Sequence, residues 1–199
     1  MSRFSRRTKI IAAFIILVAV GYGLALFWQA ENGVPASFTA ARLQGAIIAQ
    51  TIVNNSNQSV DELNAINKYD QEGDYADALA STTDLINQSA VLRNEAVQLS
   101  TEVTQMTNDL PSIKNADAQQ AALQSITVRL AVINELISYS NDLDKLLAVL
   151  QARFGGTPES NSAVANIVTQ INADVNLINT FNAQAGQAMD KFDSIESGK

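Results

Sequence analysis

The spacing of apolar residues between positions 75 and 110 places the strongest constraint on the fold of this chain. Small and apolar side chains recur there at alternating intervals of three and four residues over about five heptads. This spacing puts them on one face of an α-helix and does not match the two-residue period of a β-strand. The seam consists of Tyr75, Ala78, Thr82, Leu85, Ser89, Leu92, Ala96, Leu99, Val103, Met106 and Leu110. The segment therefore predicts a long helix that packs against other helices along one face.

The segment before this seam has a similar period, but polar residues interrupt it. A helix is predicted to begin near Ser37, as its N-cap, and to end at Gly73. The stretch 54–59 within it reads NNSNQS, and Ser59 begins the S-x-x-E pattern of a capping box, which is typical of a helix start. We therefore predict a break or kink near residues 55–58, which would raise the number of long helices from four to five.

Two more helices are predicted after the central seam. The first covers about residues 115–154, with Leu123 and Leu130 on its apolar face. The second begins at the N-cap Thr157, and Asn182 occupies one of its core positions, where it either fixes the register or forms a polar layer. Short connections make neighbouring helices antiparallel. The predicted fold is all-α, an elongated antiparallel up-down bundle of four or five long helices with heptad-like seams.

The turn between the first two helices has a characteristic sequence. Gly73 to Leu79 reads GDYADAL, in which Gly73 ends one helix and Asp74 caps the next. This segment resembles the turn of a tetratricopeptide repeat, which joins two helices. No second copy follows at the repeat period of about 34 residues, and a solenoid needs about three copies. The resemblance covers one partial repeat and implies a single helical hairpin.

An uncharged run at residues 10–28, IIAAFIILVAVGYGLALFW, predicts a membrane-spanning helix. Its length of about 28 Å matches the roughly 30 Å hydrocarbon thickness of a bilayer. Four basic residues precede the run and all 20 acidic residues follow it, so the positive-inside rule keeps the N-terminus in the cytoplasm. The predicted organisation is a cytoplasmic tail at 1–9, a single span from Ile10 to Trp28, a linker at 29–36 and an extracytoplasmic bundle at 37–199.

A cleaved signal peptide is the alternative interpretation of the same run. Its apolar stretch is longer than the usual ~7–15 residues, and cleavage before Glu31 would put the bulky Trp28 at the −3 position. Cleavage after Ala25 is chemically acceptable but leaves Leu26 at a new apolar end. We therefore favour a retained signal-anchor in the cell membrane. Gly21 and Ala25 have the spacing that lets two spans approach closely, so a homodimer is a further alternative.

The composition of the chain excludes several kinds of chemistry. It contains no Cys and no His, which excludes disulfides, thiol nucleophiles, thiolate or imidazole metal sites and histidine acid–base catalysis. The net charge of −7 argues against nucleic acid as a partner. No Gly-rich phosphate loop or nucleophile elbow is present in the sequence. We therefore predict a protein that is not an enzyme and that has no cofactor.

Two sets of carboxylates are candidates for metal binding or catalysis. The first set surrounds Gly73 and consists of Asp70, Glu72, Asp74 and Asp77. Its spacing differs from that of an EF-hand, so helix capping and solvation are the preferred interpretation. The second set lies on predicted helices and consists of Glu95, Glu102, Glu135 and Asp142. We expect no cleft that would raise the pKa of one of these groups, and we assign no catalytic or metal-binding residue.

Polar side chains on the apolar seams are the remaining candidates for a ligand site. They are Thr82, Ser89, Ser140 and Asn182. The preferred interpretation is that the hydroxyls bond the carbonyl of the preceding turn and leave no cavity. The predicted role is a non-catalytic scaffold or protein-interaction module of the cell envelope, with a protein partner of unknown identity. The alternative is a sensory or solute-binding domain with a ligand pocket in the bundle core.

Overall fold

The computed structural model describes residues 33–157 and 161–198, which form four long helices joined by short connections. Helices that follow one another in the chain pack against each other, and no strand occurs in the described residues. The predicted all-helical bundle is therefore confirmed, with four helices in these residues. The helices are α1 (Ala36–Glu72), α2 (Tyr75–Asp109), α3 (Ala116–Phe154) and α4 (Asn161–Glu196), and a short 3-10 helix (Leu110–Ser112) follows α2.

Several predictions concern residues outside those that the structure describes. They are the span at residues 10–28, its cleavage and pairing alternatives, and the first turn of the last helix after the N-cap predicted at Thr157. These remain predictions. None of the described helices is both long enough and apolar enough to cross a bilayer.

α1 is one continuous helix, so the predicted break near residues 55–58 is wrong. Ser59 Oγ donates to the carbonyl of Asn55 one turn earlier, at 2.9 Å, and does not cap a new helix. Asn55 Nδ2 donates to Glu95 Oε1 of α2 at 2.8 Å. Ser56 and Ser59 are both buried. The polar stretch was predicted to interrupt the helix. Its side chains instead form hydrogen bonds within an unbroken helix and across the α1–α2 contact.

The α1–α2 hairpin forms at the predicted turn. Gly73 ends α1 in the left-handed conformation, with φ 77°, which costs glycine little because it has no Cβ. Asp74 caps α2 by accepting a hydrogen bond from the backbone N–H of Asp77 at 3.3 Å. The N-cap predicted at Ser37 is wrong, because α1 already begins at Ala36.

The seam of α2 faces the core as predicted. All of its residues are buried except Tyr75, which is 53% exposed at the first turn and stacks on Phe154 of α3. Leu85 and Leu92 are completely buried in the middle of the seam. α2 therefore packs against α1 and α3 along its whole length.

The first half of α3 is rotated relative to the prediction. Leu123 and Leu130 are 49% and 42% exposed, so their predicted place in the core is wrong. Ala122 and Ser125 are buried instead, and Ser125 Oγ donates to the carbonyl of Ala185 in α4 at 2.9 Å. Small side chains let the two helices approach closely enough for this bond. The close approach directs the two leucines outward.

Candidate functional site

A cavity of about 100 Å³ lies in the middle of the bundle, on the side where α1 and α4 face each other. Apolar side chains from all four helices form most of its wall, with a few polar groups among them, as in many ligand sites. The residues that line it are Ala49, Ile52, Val53 and Ser56 of α1, Leu99 of α2, Arg129, Val132, Leu136 and Tyr139 of α3, and Val175, Ile178, Asn179 and Asn182 of α4. This cavity is the candidate functional site.

Two side-chain contacts join α1 to α4 near one end of the bundle. Near that end Phe38 and Phe192 pack with their ring centroids 5.5 Å apart. One turn further, the two guanidinium nitrogens of Arg42 donate to the two carboxylate oxygens of Asp193 at 2.7 and 2.6 Å. α1 and α4 make far fewer close backbone contacts with each other than helices that follow one another in the chain. The space between the two helices opens where the small side chain of Ala49 lines the wall.

Arg129 is the charged residue of the cavity wall. Its Nε donates to Ser125 Oγ at 3.4 Å, and it forms no ion pair within the part of the chain that the structure describes. Burial lowers the pKa of Arg129, and the positive charge of Arg42 lowers it further. A guanidinium starts from a pKa so high that it keeps its charge under all ordinary conditions. The cavity therefore contains a cation whose charge no neighbouring carboxylate balances.

Tyr139 supplies a second polar group to the same wall. The residue is only 3% exposed, and its hydroxyl has no hydrogen-bond partner among the described residues. Burial raises the pKa of Tyr139 to about 12, so the hydroxyl stays protonated at neutral pH. A buried donor without a partner costs about 1–3 kcal/mol, which makes such groups rare in folded proteins. A polar atom bound in the cavity would relieve this cost.

The four polar seam residues divide between structural roles and the cavity. Thr82 Oγ1 donates to the carbonyl of Ala78 one turn earlier at 2.7 Å, as expected. The same expectation is wrong for Ser89 and Ser140, whose hydroxyls lie 3.1 Å apart and bond across α2 and α3. Asn182 lines the cavity, so the expectation that these seams enclose no cavity is also wrong. One of the four candidates therefore belongs to the site.

The sequence pattern did not predict that Arg129 and Tyr139 line a site. A signal for Arg129 was present, because Ser125, Arg129, Val132 and Leu136 follow one another at spacings of four, three and four. This is the seam that the rotation of α3 turns toward the core. A charged residue on a buried seam is a stronger indication of function than the hydroxyls that were considered. No sequence pattern distinguishes Tyr139 from an ordinary core aromatic residue.

The acidic cluster around Gly73 has a structural role in the described residues. Asp70 accepts from Arg153 of α3 at 3.0 Å, and Asp74 caps α2. Glu72 and Asp77 are exposed. Among residues 33–157 and 161–198 no group of three or more acidic side chains is arranged to hold a metal ion.

The second carboxylate set contains two buried groups in two separate places. Burial raises the pKa of Glu95, and the hydrogen bond from Asn55 partly opposes this shift. Glu95 lies at the α1–α2 contact, whereas Asp142 is buried beside Asp174 at the α3–α4 contact. Glu102 and Glu135 are half-buried. The set therefore does not form one constellation.

Comparisons with protein-family models, with curated proteins and with solved structures find no match for this chain. What the cavity does must therefore be argued from its own residues.

Proposed function

We propose that this chain is a membrane-anchored, extracytoplasmic helical-bundle domain that binds a small, largely apolar molecule in the cavity between α1 and α4. The observation that carries the proposal is the cavity itself, an apolar space of about 100 Å³ with Arg129 and Tyr139 in its wall. The anchor rests on the sequence of residues 10–28 and on the basic residues that precede it. The proposal combines the predicted location with the solute-binding alternative.

The cavity is partly open to solvent and is lined mainly by apolar side chains. Ligand sites are typically concave and largely apolar, with a few polar groups in the wall. An apolar cavity of about 150 Å³ in another protein stays dry and binds benzene, so a space of about 100 Å³ is large enough for a small hydrocarbon group. The wall includes Ile52, Leu136 and Ile178, which would contact such a group. The cavity therefore has the size and surface of a binding site for the apolar part of a small molecule.

The predicted scaffold role remains a second candidate function. It is favoured by Leu123 and Leu130, which lie seven residues apart on the same side of α3 and are about half-exposed. A protein partner could cover these two side chains without using the cavity. The two roles are compatible, because neither leucine lines the cavity.

The binding proposal is tested by thermal unfolding of the full 199-residue chain in a non-ionic detergent, with 1-hexanol as the probe. At about ten times the dissociation constant, we expect the Tm to rise by roughly 3–6 °C, because a ligand that binds only the folded state stabilises it. Replacing Ala49 with leucine fills the space from α1. The variant Ala49→Leu should have a higher Tm without the probe and a smaller shift with it.

The matched control is Ala165→Leu, the same substitution at an exposed position of α4. It should keep the probe-induced shift of the unmodified chain. If 1-hexanol leaves the Tm of the unmodified chain unchanged, or if both leucine variants respond alike, the cavity is not a binding site and the proposal is wrong.

The predicted membrane topology has its own test, which uses the absence of cysteine from the chain. A single cysteine introduced by Lys114→Cys, at an exposed position between α2 and α3, should react with a membrane-impermeant maleimide in intact cells. A cysteine introduced by Ser2→Cys should react only after the membrane is permeabilised. Labelling of both sites in intact cells, or recovery of a chain that starts near Leu26, would contradict the topology.

A further inference from the structure

Arg129 differs from every other arginine that the structure describes. Arg42, Arg93 and Arg153 each pair with an aspartate, whereas Arg129 lies in the cavity wall with only a long hydrogen bond to Ser125. Arg129 is half-buried, and a charge that is partly removed from water without a counter-ion carries a desolvation cost. An anion in the cavity would offset that cost through the low dielectric of its surroundings.

The rest of the wall limits what kind of anion fits. The guanidinium fork matches the two oxygens of a carboxylate, and Asn179 on α4 adds an amide to the same wall. The remaining wall is mostly aliphatic, including Val132 and Val175, and would contact hydrocarbon. A dianion such as phosphate would bring two charges into an apolar space that offers one cation. A monoanion with an apolar tail satisfies both parts of the wall.

Tyr139 lies further along α3 than Arg129 and contributes a different kind of group to the wall. It follows Arg129 by ten residues, which corresponds to about 15 Å along the helix axis. Its hydroxyl is neutral and supplies one hydrogen-bond donor, whereas Arg129 supplies a charge and a fork of donors. The charged group of the ligand therefore belongs at Arg129.

We infer that the cavity selects short-chain monocarboxylates, with the carboxylate bound by Arg129 and the hydrocarbon tail enclosed by the aliphatic wall. This inference rests on the proposed function and specifies the ligand class of the same site. An apolar cavity of about 150 Å³ in another protein holds the six carbons of benzene. In proportion, a space of about 100 Å³ holds about four carbons. Carboxylates of about four to six carbons should therefore fit best.

The test compares three probes of equal chain length by calorimetric titration of the full chain in detergent, with empty micelles as the blank. The probes are hexanoate, 1-hexanol and hexylammonium, which carry negative, zero and positive charge. Hexanoate should bind at least about tenfold more tightly than 1-hexanol, because charge-assisted hydrogen bonds to Arg129 form only with the anion. Hexylammonium should bind more weakly than both. Among carboxylates, affinity should rise about fourfold per methylene from propanoate to hexanoate and then level off.

Two variants of Arg129 and one control test the role of this residue. Arg129→Met removes the charge but keeps an unbranched side chain, and it should make hexanoate and 1-hexanol bind about equally. Arg129→Lys keeps the charge without the fork and should retain part of the preference for hexanoate. The control Arg93→Met removes an arginine that pairs with Asp144 outside the cavity, and it should keep the full preference. Circular dichroism confirms that each variant is folded.

The possible outcomes separate this inference from the proposed function. If 1-hexanol binds as tightly as hexanoate, or if Arg129→Met keeps the preference for hexanoate, the cavity binds apolar molecules but the assigned ligand class is wrong. If none of the three probes binds, the proposed function fails and the inference fails with it. Tight binding of hexanoate that is lost in both Arg129→Met and Arg93→Met would mean that net charge, and not this site, attracts the anion.

Discussion

Replacement of Arg153 with methionine is expected to destabilise the bundle by about 3 kcal/mol. Arg153, in the last turn of α3, donates from Nη2 to both carboxylate oxygens of Asp70 near the end of α1, at 3.2 and 3.0 Å. The side chain of Asp70 is 5% exposed and that of Arg153 is 19% exposed. Removing one partner of a buried pair leaves the other charge uncompensated, which costs about 3–5 kcal/mol. Because Arg153 is partly exposed, we expect a loss of stability at the lower end of this range. Urea unfolding of Arg153→Met and of the unmodified chain measures the difference in the free energy of unfolding.

A second substitution separates the lost ion pair from lost packing. Adding Asp70→Asn to Arg153→Met removes the uncompensated charge, so the double variant should regain part of the stability. Arg93→Met is the matched control, because Arg93 and Asp144 also form an ion pair but their side chains are 38% and 37% exposed. Its cost should stay within about 1 kcal/mol. Equal losses in Arg153→Met and Arg93→Met would show that burial of the Asp70 pair has no effect on stability.

The sequence predicted the parts of this fold that depend on local pattern. The seam of α2 and the turn at Gly73 and Asp74 are formed by nearest neighbours along the chain, so periodicity and capping chemistry are sufficient to find them. Arg153 lies in the last turn of α3. Its partner Asp70 was not predicted, because that contact joins α1 to α3 across the end of the bundle.

The incorrect predictions for the continuity of α1 and for the buried face of α3 share one physical cause. The continuity of α1 depends on hydrogen bonds from its polar stretch, one of which reaches Glu95 on another helix. The rotation of α3 depends on its close approach to α4 through Ser125, a contact between residues 60 positions apart in the sequence. Tertiary packing therefore decides which face of a helix is buried and whether the helix is continuous, where the local sequence is compatible with either outcome. The cavity was missed for the same reason, because its wall combines residues from all four helices.

The α3–α4 contact contains a pair of buried carboxyl groups that should make the stability of the bundle depend on pH. Asp174 is 2% exposed and Asp142 is 8% exposed, and the two side chains lie within hydrogen-bonding reach. Gln170 donates to Asp174 Oδ1 at 3.1 Å, and Lys145 pairs with Asp142 at 2.6 Å, whereas Asp174 Oδ2 has no partner among the described residues. Burial raises the pKa of Asp174 above its ordinary value, and the charge of Asp142 adds to the effect.

The direction of the pH dependence follows from this raised pKa. A carboxyl group whose pKa is higher in the folded than in the unfolded state stabilises the fold when it is protonated. That contribution is fully present below the unfolded pKa of about 3.9 and is lost as the pH rises through the folded pKa. The unmodified chain should therefore lose this contribution between acidic and neutral pH, as Asp174 becomes a charged carboxylate in a buried site beside Asp142.

Replacement of Asp174 with asparagine should stabilise the bundle by about 1–3 kcal/mol at pH 7, because it removes the buried charge and turns the unpaired oxygen into an amide donor facing Asp142. The gain should shrink as the pH falls toward 4, where protonated Asp174 already supplies a donor. Asp190→Asn, at an exposed position of the same helix, is the matched control and should change stability by less than about 0.5 kcal/mol. Urea unfolding from pH 4 to pH 8 measures the difference in the free energy of unfolding between each variant and the unmodified chain. A destabilised Asp174→Asn at pH 7, or a gain independent of pH, would contradict the raised pKa of Asp174 as the cause.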